Sequence, residues 1–211
     1  MNYNFDKLID RSKTESLKWL RHEGTDVIPM WLADMDFECP PEVVEAVKIR
    51  ASHPIYGYTE ASEELMDIFI KRVHRKSGWK ISPEWVVWLP GVVVGLNVAT
   101  RSVLNPGKLA VVPSPIYPPF TEAPINMKRG YLKTDMQNKD GRLSLDINSL
   151  DILLNDDVDL FYFCNPHNPG GSIASLDEID LLVDLCNQRK VVICSDEIHS
   201  EIILDNTKTH I

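Results

Sequence analysis

Hydrophobic and polar positions along this chain follow two periods. Short, largely apolar runs stand at 27–32, 85–89, 109–112, 160–164 and 191–194, rich in Val, Ile and aromatic residues, with a weaker one at 130–133. Runs of this length predict short strands, and the four apolar residues Val191, Val192, Ile193 and Cys194 predict one buried on both faces. Residues 141–144 read as a turn or short strand. Between the runs the spacing is helical. Leu65, Ile68, Phe69 and Val73 predict an amphipathic helix over 62–76, and Val43, Val44 and Val47 follow the helix-opening Pro40 and Pro41. A largely apolar helix is predicted over 92–103 and another near 147–154. Ser175 with Glu178 forms a capping box for a helix with the stripe Ile179, Leu182, Val183 and Cys186. Residues 1–23 read as a polar arm with a helix near Leu17, Trp19 and Leu20. Four prolines in 113–120 exclude regular structure from the first half of that stretch. Strands alternating with helices from residue 85 onward predict an α/β fold, a parallel-dominated sheet with helices on both faces.

Composition narrows the function classes. The 211 residues carry a net charge of −9 with no run of Lys or Arg, which argues against nucleic acid and against an anionic membrane surface. No apolar stretch approaches a membrane span, and the first residues lack a secretion-signal pattern. Cys39, Cys164, Cys186 and Cys194 show neither C-x-x-C spacing nor a disulfide framework, so a reducing, cytoplasmic setting is expected. His167, His199 and the nearby cysteines match no metal-ligand spacing, so no metal is expected.

Chemistry gathers where the predicted strands end, which is where ligands sit in open α/β sheets. Gly91, Val92 and Val93 stand between a strand and a helix start; this is either an ordinary turn or a set of backbone N–H groups suited to a phosphate. Tyr117 lies in a stiff proline frame, as a packed loop residue or as a flat face for an aromatic ligand. Two Asn-Pro steps within residues 165–169 fix the backbone around the Asn168 amide. Asp196 opens an acidic cluster containing His199. A phosphate cradle, a flat ring, a fixed amide and a buried acid together suit a phosphorylated aromatic heterocycle whose ring nitrogen is to be protonated.

With these residues in view the chain resembles the fold-type I pyridoxal-phosphate enzymes, the aspartate aminotransferase superfamily, and within it the cystathionine β-lyase group of the MalY/PatB type. The stretches that carry the resemblance are Trp31-Leu32-Ala33-Asp34-Met35-Asp36-Phe37, Tyr56-Gly57-Tyr58, Leu89-Pro90-Gly91-Val92-Val93, Pro115-Ile116-Tyr117-Pro118-Pro119-Phe120, residues 165–171, and Asp196-Glu197-Ile198-His199-Ser200. The resemblance implies pyridoxal 5'-phosphate as cofactor and a small amino acid as substrate. It implies that Asp196 pairs with the pyridinium nitrogen, Asn168 and His199 bond the phenolic oxygen, and Ile198 and Tyr117 flank the ring. Gly91, Val92 and Val93 would hold the phosphate, and Tyr58 would reach the phosphate of the neighbouring subunit in a homodimer. Ala33 would lie where the backbone approaches the substrate carboxylate. The implied activity is β-elimination from cystathionine or another cysteine S-conjugate, giving a thiol, pyruvate and ammonia. An aminotransferase and a non-catalytic gene remnant are the alternatives.

The resemblance also exposes gaps. Gly170 stands where many relatives carry Thr. The family's Schiff-base lysine has no counterpart; Lys208, the only lysine after Asp196, sits in a polar turn of the wrong setting. The substrate-binding arginine of the C-terminal domain is missing too. The chain is therefore expected to be an N-terminal fragment, with residues 1–42 an arm and part of the small domain and 43–211 a partial cofactor-binding large domain. The family's sheet has seven strands, and the absent ones are expected to leave the strand at 160–164 with an open apolar edge.

Overall fold

The computed structural model describes residues 3–204. The chain divides into two compact units, Met1–Glu60 and Ala61–Ile211.

Among its described residues the first unit contains two helices, α1 (Leu17–Leu20) and α2 (Pro41–Ser52). Its remainder is held by charge. Arg11 bonds Asp34 and Asp36, each at 2.8 Å, and the Lys18 ammonium donates to the Asp34 carbonyl at 2.7 Å and to Asp36 at 2.6 Å. Trp19 Nε1 donates to Asp36 at 2.9 Å. The hydrogen bond from Lys18, then those from Trp19 and Arg11, hold the Asp36 carboxyl far below the usual carboxylate range. Residues 27–32 are not a strand; among the described residues of the unit no neighbouring strand offers them a ladder.

The second unit builds the sheet. Helix α3 (Glu63–Ser77) starts under the Ser62 hydroxyl, which accepts from Leu65 N–H, and stops at Gly78 in the left-handed region. Then come α4 (Val92–Val103), β1 (Leu109–Ser114), α5 (Pro119–Asn126), β2 (Gly130–Lys139) and β3 (Arg142–Leu145). The chain continues through α6 (Ile147–Leu153), β4 (Val158–Cys164), α7 (Leu176–Arg189) and β5 (Val192–Asp196). Strand order is β3-β2-β1-β4-β5, parallel except for the β2–β3 hairpin. Asp140 and Gly141, both at positive φ, make the two-residue turn that suits such a hairpin.

Alternation along the central strands serves both faces. Val111 and Phe161 pack with Leu150, Leu182 and Cys186 from α6 and α7. Ala110, Val112, Leu160 and Tyr162 pack with Leu96 of α4 and Phe120 of α5. Phe120 meets Tyr162 edge-on at 5.5 Å, and the buried Tyr162 hydroxyl is hydrogen-bonded to Thr100.

Four expectations change. Residues 85–89 are not a strand. Pro83–Trp85 forms a 3-10 turn and the following residues run extended but unpaired, because a strand needs an adjacent edge. The strand at 160–164 has no open edge; β4 lies between β1 and β5. Among the described residues the sheet ends at β3 and at β5, and β5 is mostly exposed or half-exposed rather than buried on both faces. Pro113 and Ser114, which the proline count places outside regular structure, close β1, and α5 follows from Pro119, which occupies the first helical position, where a missing N–H costs nothing.

Candidate active site

Parallel pairing brings the carboxyl ends of β1, β4 and β5 to one edge of the sheet, and the loops leaving that edge are stitched together. Asn165 N–H donates to the Asp196 carbonyl at 3.0 Å, and Tyr117 N–H donates to the Asn168 carbonyl at 3.0 Å. His167 N–H donates to the Ser172 carbonyl at 2.8 Å, and the Asn165 side-chain oxygen accepts from Ala174 N–H at 3.0 Å. The two Asn-Pro steps thus sit in a loop pinned at both ends and tied to the loop bearing Tyr117.

Asp196 ends β5 and is only 8% exposed. One carboxylate oxygen accepts from Ile198 N–H at 3.0 Å. Asp196 and Ile198 line a cleft of about 540 Å³ together with Gly91, Val92, Trp88 and Cys194. Gly91 caps α4 with no side-chain bond to the first turn, so the leading N–H groups of that helix have no capping side chain. Nothing lies within 4 Å of where a Cβ on Gly91 would stand, which leaves the approach to the helix end open. Val93 follows in the first turn, partly exposed. Asn168 and His199 line a second cavity of about 330 Å³ with Pro169, Gly171 and Ile202.

Ala33 and Tyr58 belong to the first unit. Ala33 immediately precedes the clamped Asp34–Asp36 stretch, and Tyr58 is fully exposed. Lys208 lies outside the described residues.

Two further residues bear on the site. Glu197 lines the same cleft as Asp196; burial pushes its carboxyl pKa up, and the Ser195 hydroxyl donates to it at 2.8 Å. Its place beside Asp196 in the acidic cluster was the available signal, but the strand pattern did not show which acid would be drawn inward. His167 is buried, and burial pushes its pKa down. Its Nδ1 faces Gly170 N–H at 3.2 Å, so the neutral ring carries its proton on Nε2. A side chain at Gly170 would meet that ring: its Cβ would stand 2.7 Å from His167 Nδ1 and 2.8 Å from Leu143 Cδ1.

The arrangement can therefore hold an anion at a helix start and present a buried carboxylate in the same cleft. Residues 25–210 match the family described as aminotransferase class I and II. The chain is 39% identical over 206 residues to the cystathionine β-lyase PatB of Bacillus subtilis, covering 95% of this chain and 53% of that protein. The crystal structure of OvoB superposes with a TM-score of 0.93 at 37% identity, covering 99% of this chain and 55% of the other. A pyridoxal-phosphate-bound C-S lyase from Staphylococcus hominis gives a TM-score of 0.92 at 29% identity, covering 100% of this chain and 55% of its own. The chain spans about half the length of the relatives it matches.

Proposed function

The chain belongs to the aminotransferase class I and II family, and from that premise we propose that it is the cofactor-binding half of a pyridoxal-phosphate-dependent carbon–sulfur β-lyase. One observation carries the reading: the buried Asp196 carboxylate lines the same cleft as the uncapped start of α4. That donor set fits a ligand with an anionic phosphate at one end and a protonatable ring nitrogen at the other. The names of the relatives support the same cofactor and reaction class.

In this reading the N–H groups of Gly91, Val92 and Val93 hold the phosphate. Asp196 would keep a proton on the ring nitrogen, Asn168 and His199 would bond the phenolic oxygen, and Ile198 and Tyr117 would flank the ring. Bound pyridoxal phosphate supplies a sink for the electron pair left at the substrate α-carbon once its proton is removed. The Ala33 backbone receives the substrate carboxylate, and Tyr58 reaches the phosphate of the neighbouring subunit in a homodimer. A cysteine S-conjugate and water then give a thiol, pyruvate and ammonia. The proton-abstracting lysine and the substrate-binding arginine come from the half of the family fold that this chain does not span. Four free thiols suit a reducing, cytoplasmic location.

The test joins this chain to the downstream half of the Bacillus subtilis relative and measures pyruvate released from cystathionine. Asp196→Ala should lower the rate by a factor of about a hundred or more, with circular dichroism unchanged, because the ring loses its proton and with it the sink. Near-normal elimination by Asp196→Ala would overturn the assignment. Amino transfer to a 2-oxo acid in place of pyruvate release would overturn the reaction class.

A further inference from the structure

His167 stands in the middle of the Asn-Pro loop and makes three bonds within it. Its N–H donates to the Ser172 carbonyl at 2.8 Å, its carbonyl accepts from Gly171 N–H at 2.7 Å, and its ring Nδ1 accepts from Gly170 N–H at 3.2 Å. Together these bonds enclose Asn168 and Pro169. We propose that His167 is a positioning residue for the cofactor site: its neutral imidazole closes the turn that aims Asn168 and ties that turn to the Tyr117 loop. The inference rests on the reading of Asn168 as a contact to the cofactor's phenolic oxygen.

The imidazole sits where two loops meet. A Cβ on residue 170 would stand 2.7 Å from Nδ1, so the ring lies against the Gly170 backbone in the space a side chain would take. His167 is buried, and close packing holds its ring in that one place. Asn168 follows it directly in the chain, lines the cavity that also holds His199, and accepts from Tyr117 N–H at 3.0 Å through its carbonyl. The Pro115 carbonyl, two residues before Tyr117, also acts on the imidazole.

Protonation would undo the turn. An imidazolium has two donors and no acceptor, so Gly170 N–H would face another N–H. Burial is the larger influence on the ring and pushes its pKa below 6.5, while the Pro115 carbonyl works the other way. Arg142, Glu178 and Cys164 line one cavity beside the ring, and His199 lines the other. Arg142 and Glu178 offset each other in their bidentate pair, and burial keeps Cys164 a neutral thiol. The turn is therefore closed at and above pH 6.5 and opens as pH falls through the lowered pKa of the folded ring.

The experiment follows amide exchange at Gly170 and Gly171 in this chain by NMR, corrected for its intrinsic pH dependence, beside the ring signals of His167. Protection should hold above pH 6.5 and fall about fivefold in step with the titration of the ring. This arm needs no variant. His167→Asn places an amide oxygen near the position of Nδ1 and should keep protection within about twofold across the whole range. His167→Leu fills the space without an acceptor and should lose about fivefold even where the parent ring is neutral. In the fusion with the downstream half of the Bacillus subtilis relative, His167→Leu should weaken binding of pyridoxal phosphate about fivefold, and His167→Asn should bind it as the parent does. A ring that only fills space predicts the reverse order of the two variants. Protection that ignores the ring's titration, or His167→Leu binding the cofactor as tightly as the parent, would overturn the proposal. A wrong reading of the site shows itself separately, as near-normal elimination by Asp196→Ala with protection at Gly170 unmoved.

Discussion

Replacing Glu178 with Gln tests how much one ion pair contributes to joining β3 to α7. The Glu178 carboxylate accepts from Ser175 N–H at 2.8 Å, which closes the capping box, and from two nitrogens of Arg142 at 2.7 and 2.8 Å. The bidentate bond to Arg142 is the largest cause of a carboxyl pKa lowered from 4.5 to about 2, and burial works against it. A fall of that size corresponds to about 3 kcal/mol. The Glu178 side chain is only 16% exposed but that of Arg142 is 37% exposed, so solvent screening reduces the expected contribution to about 2 kcal/mol. Because the folded value lies below the unfolded one, this stability is fully present above pH 4.5 and is lost as pH falls toward 2. Glu178→Gln keeps the shape and can still accept from Ser175, but it carries no charge. Urea unfolding followed by tryptophan fluorescence should place the variant about 2 kcal/mol below the parent at pH 7, with the gap narrowing to well under half by pH 2.5. A gap of equal size at both pH values, or none at pH 7, would refute the electrostatic account.

Three other outcomes are expected. Ellman titration at pH 8 should find one fast thiol, the exposed Cys39, and four in denaturant. Burial pushes Cys164 and Cys194 to about 11 and Cys186 to about 12, and a second fast thiol would contradict this. Gly170→Thr should destabilise the second unit by about 1–3 kcal/mol through its clash with His167 and Leu143, and Leu143→Ala should relieve part of that cost; equal melting of the parent and Gly170→Thr would refute it. Incubation with pyridoxal phosphate, borohydride reduction and peptide mass spectrometry should show no stoichiometric adduct on Lys208; such an adduct would show that this chain supplies its own Schiff-base lysine.

Local chemistry was legible wherever one short stretch decides it. The Ser175–Glu178 capping box, the Pro41 helix start and the Val158–Cys164 strand are all fixed by residues within a turn or two of themselves. Strands that depend on a neighbour were not. Residues 85–89 have every local preference for a strand, yet the ladder needs a second edge, and periodicity says nothing about which edge is present. For the same reason sequence order could not separate β4 from β5 as the open edge. At the site, the spacing of Asn-Pro steps and of Asp196 pointed to one edge of the sheet. The inward turn of Glu197 and the contact between Gly170 and His167 depend on which loops meet, and that is settled by packing across sequence distance.

The charge clamp of the first unit sets how far the chain can be shortened from its N-terminal side. The matched family region starts at residue 25, whereas Arg11, Lys18 and Trp19, the donors that satisfy Asp34 and Asp36, all precede it. A chain trimmed to the matched region would keep the signature acids and discard every partner they have among these contacts. Asp36 would return to an ordinary solvated carboxylate, and the stretch after Ala33 would lose what fixes it. The arm and the acidic stretch are therefore one structural piece, and a chain begun at residue 25 would lose the order of residues 33–37 along with the arm.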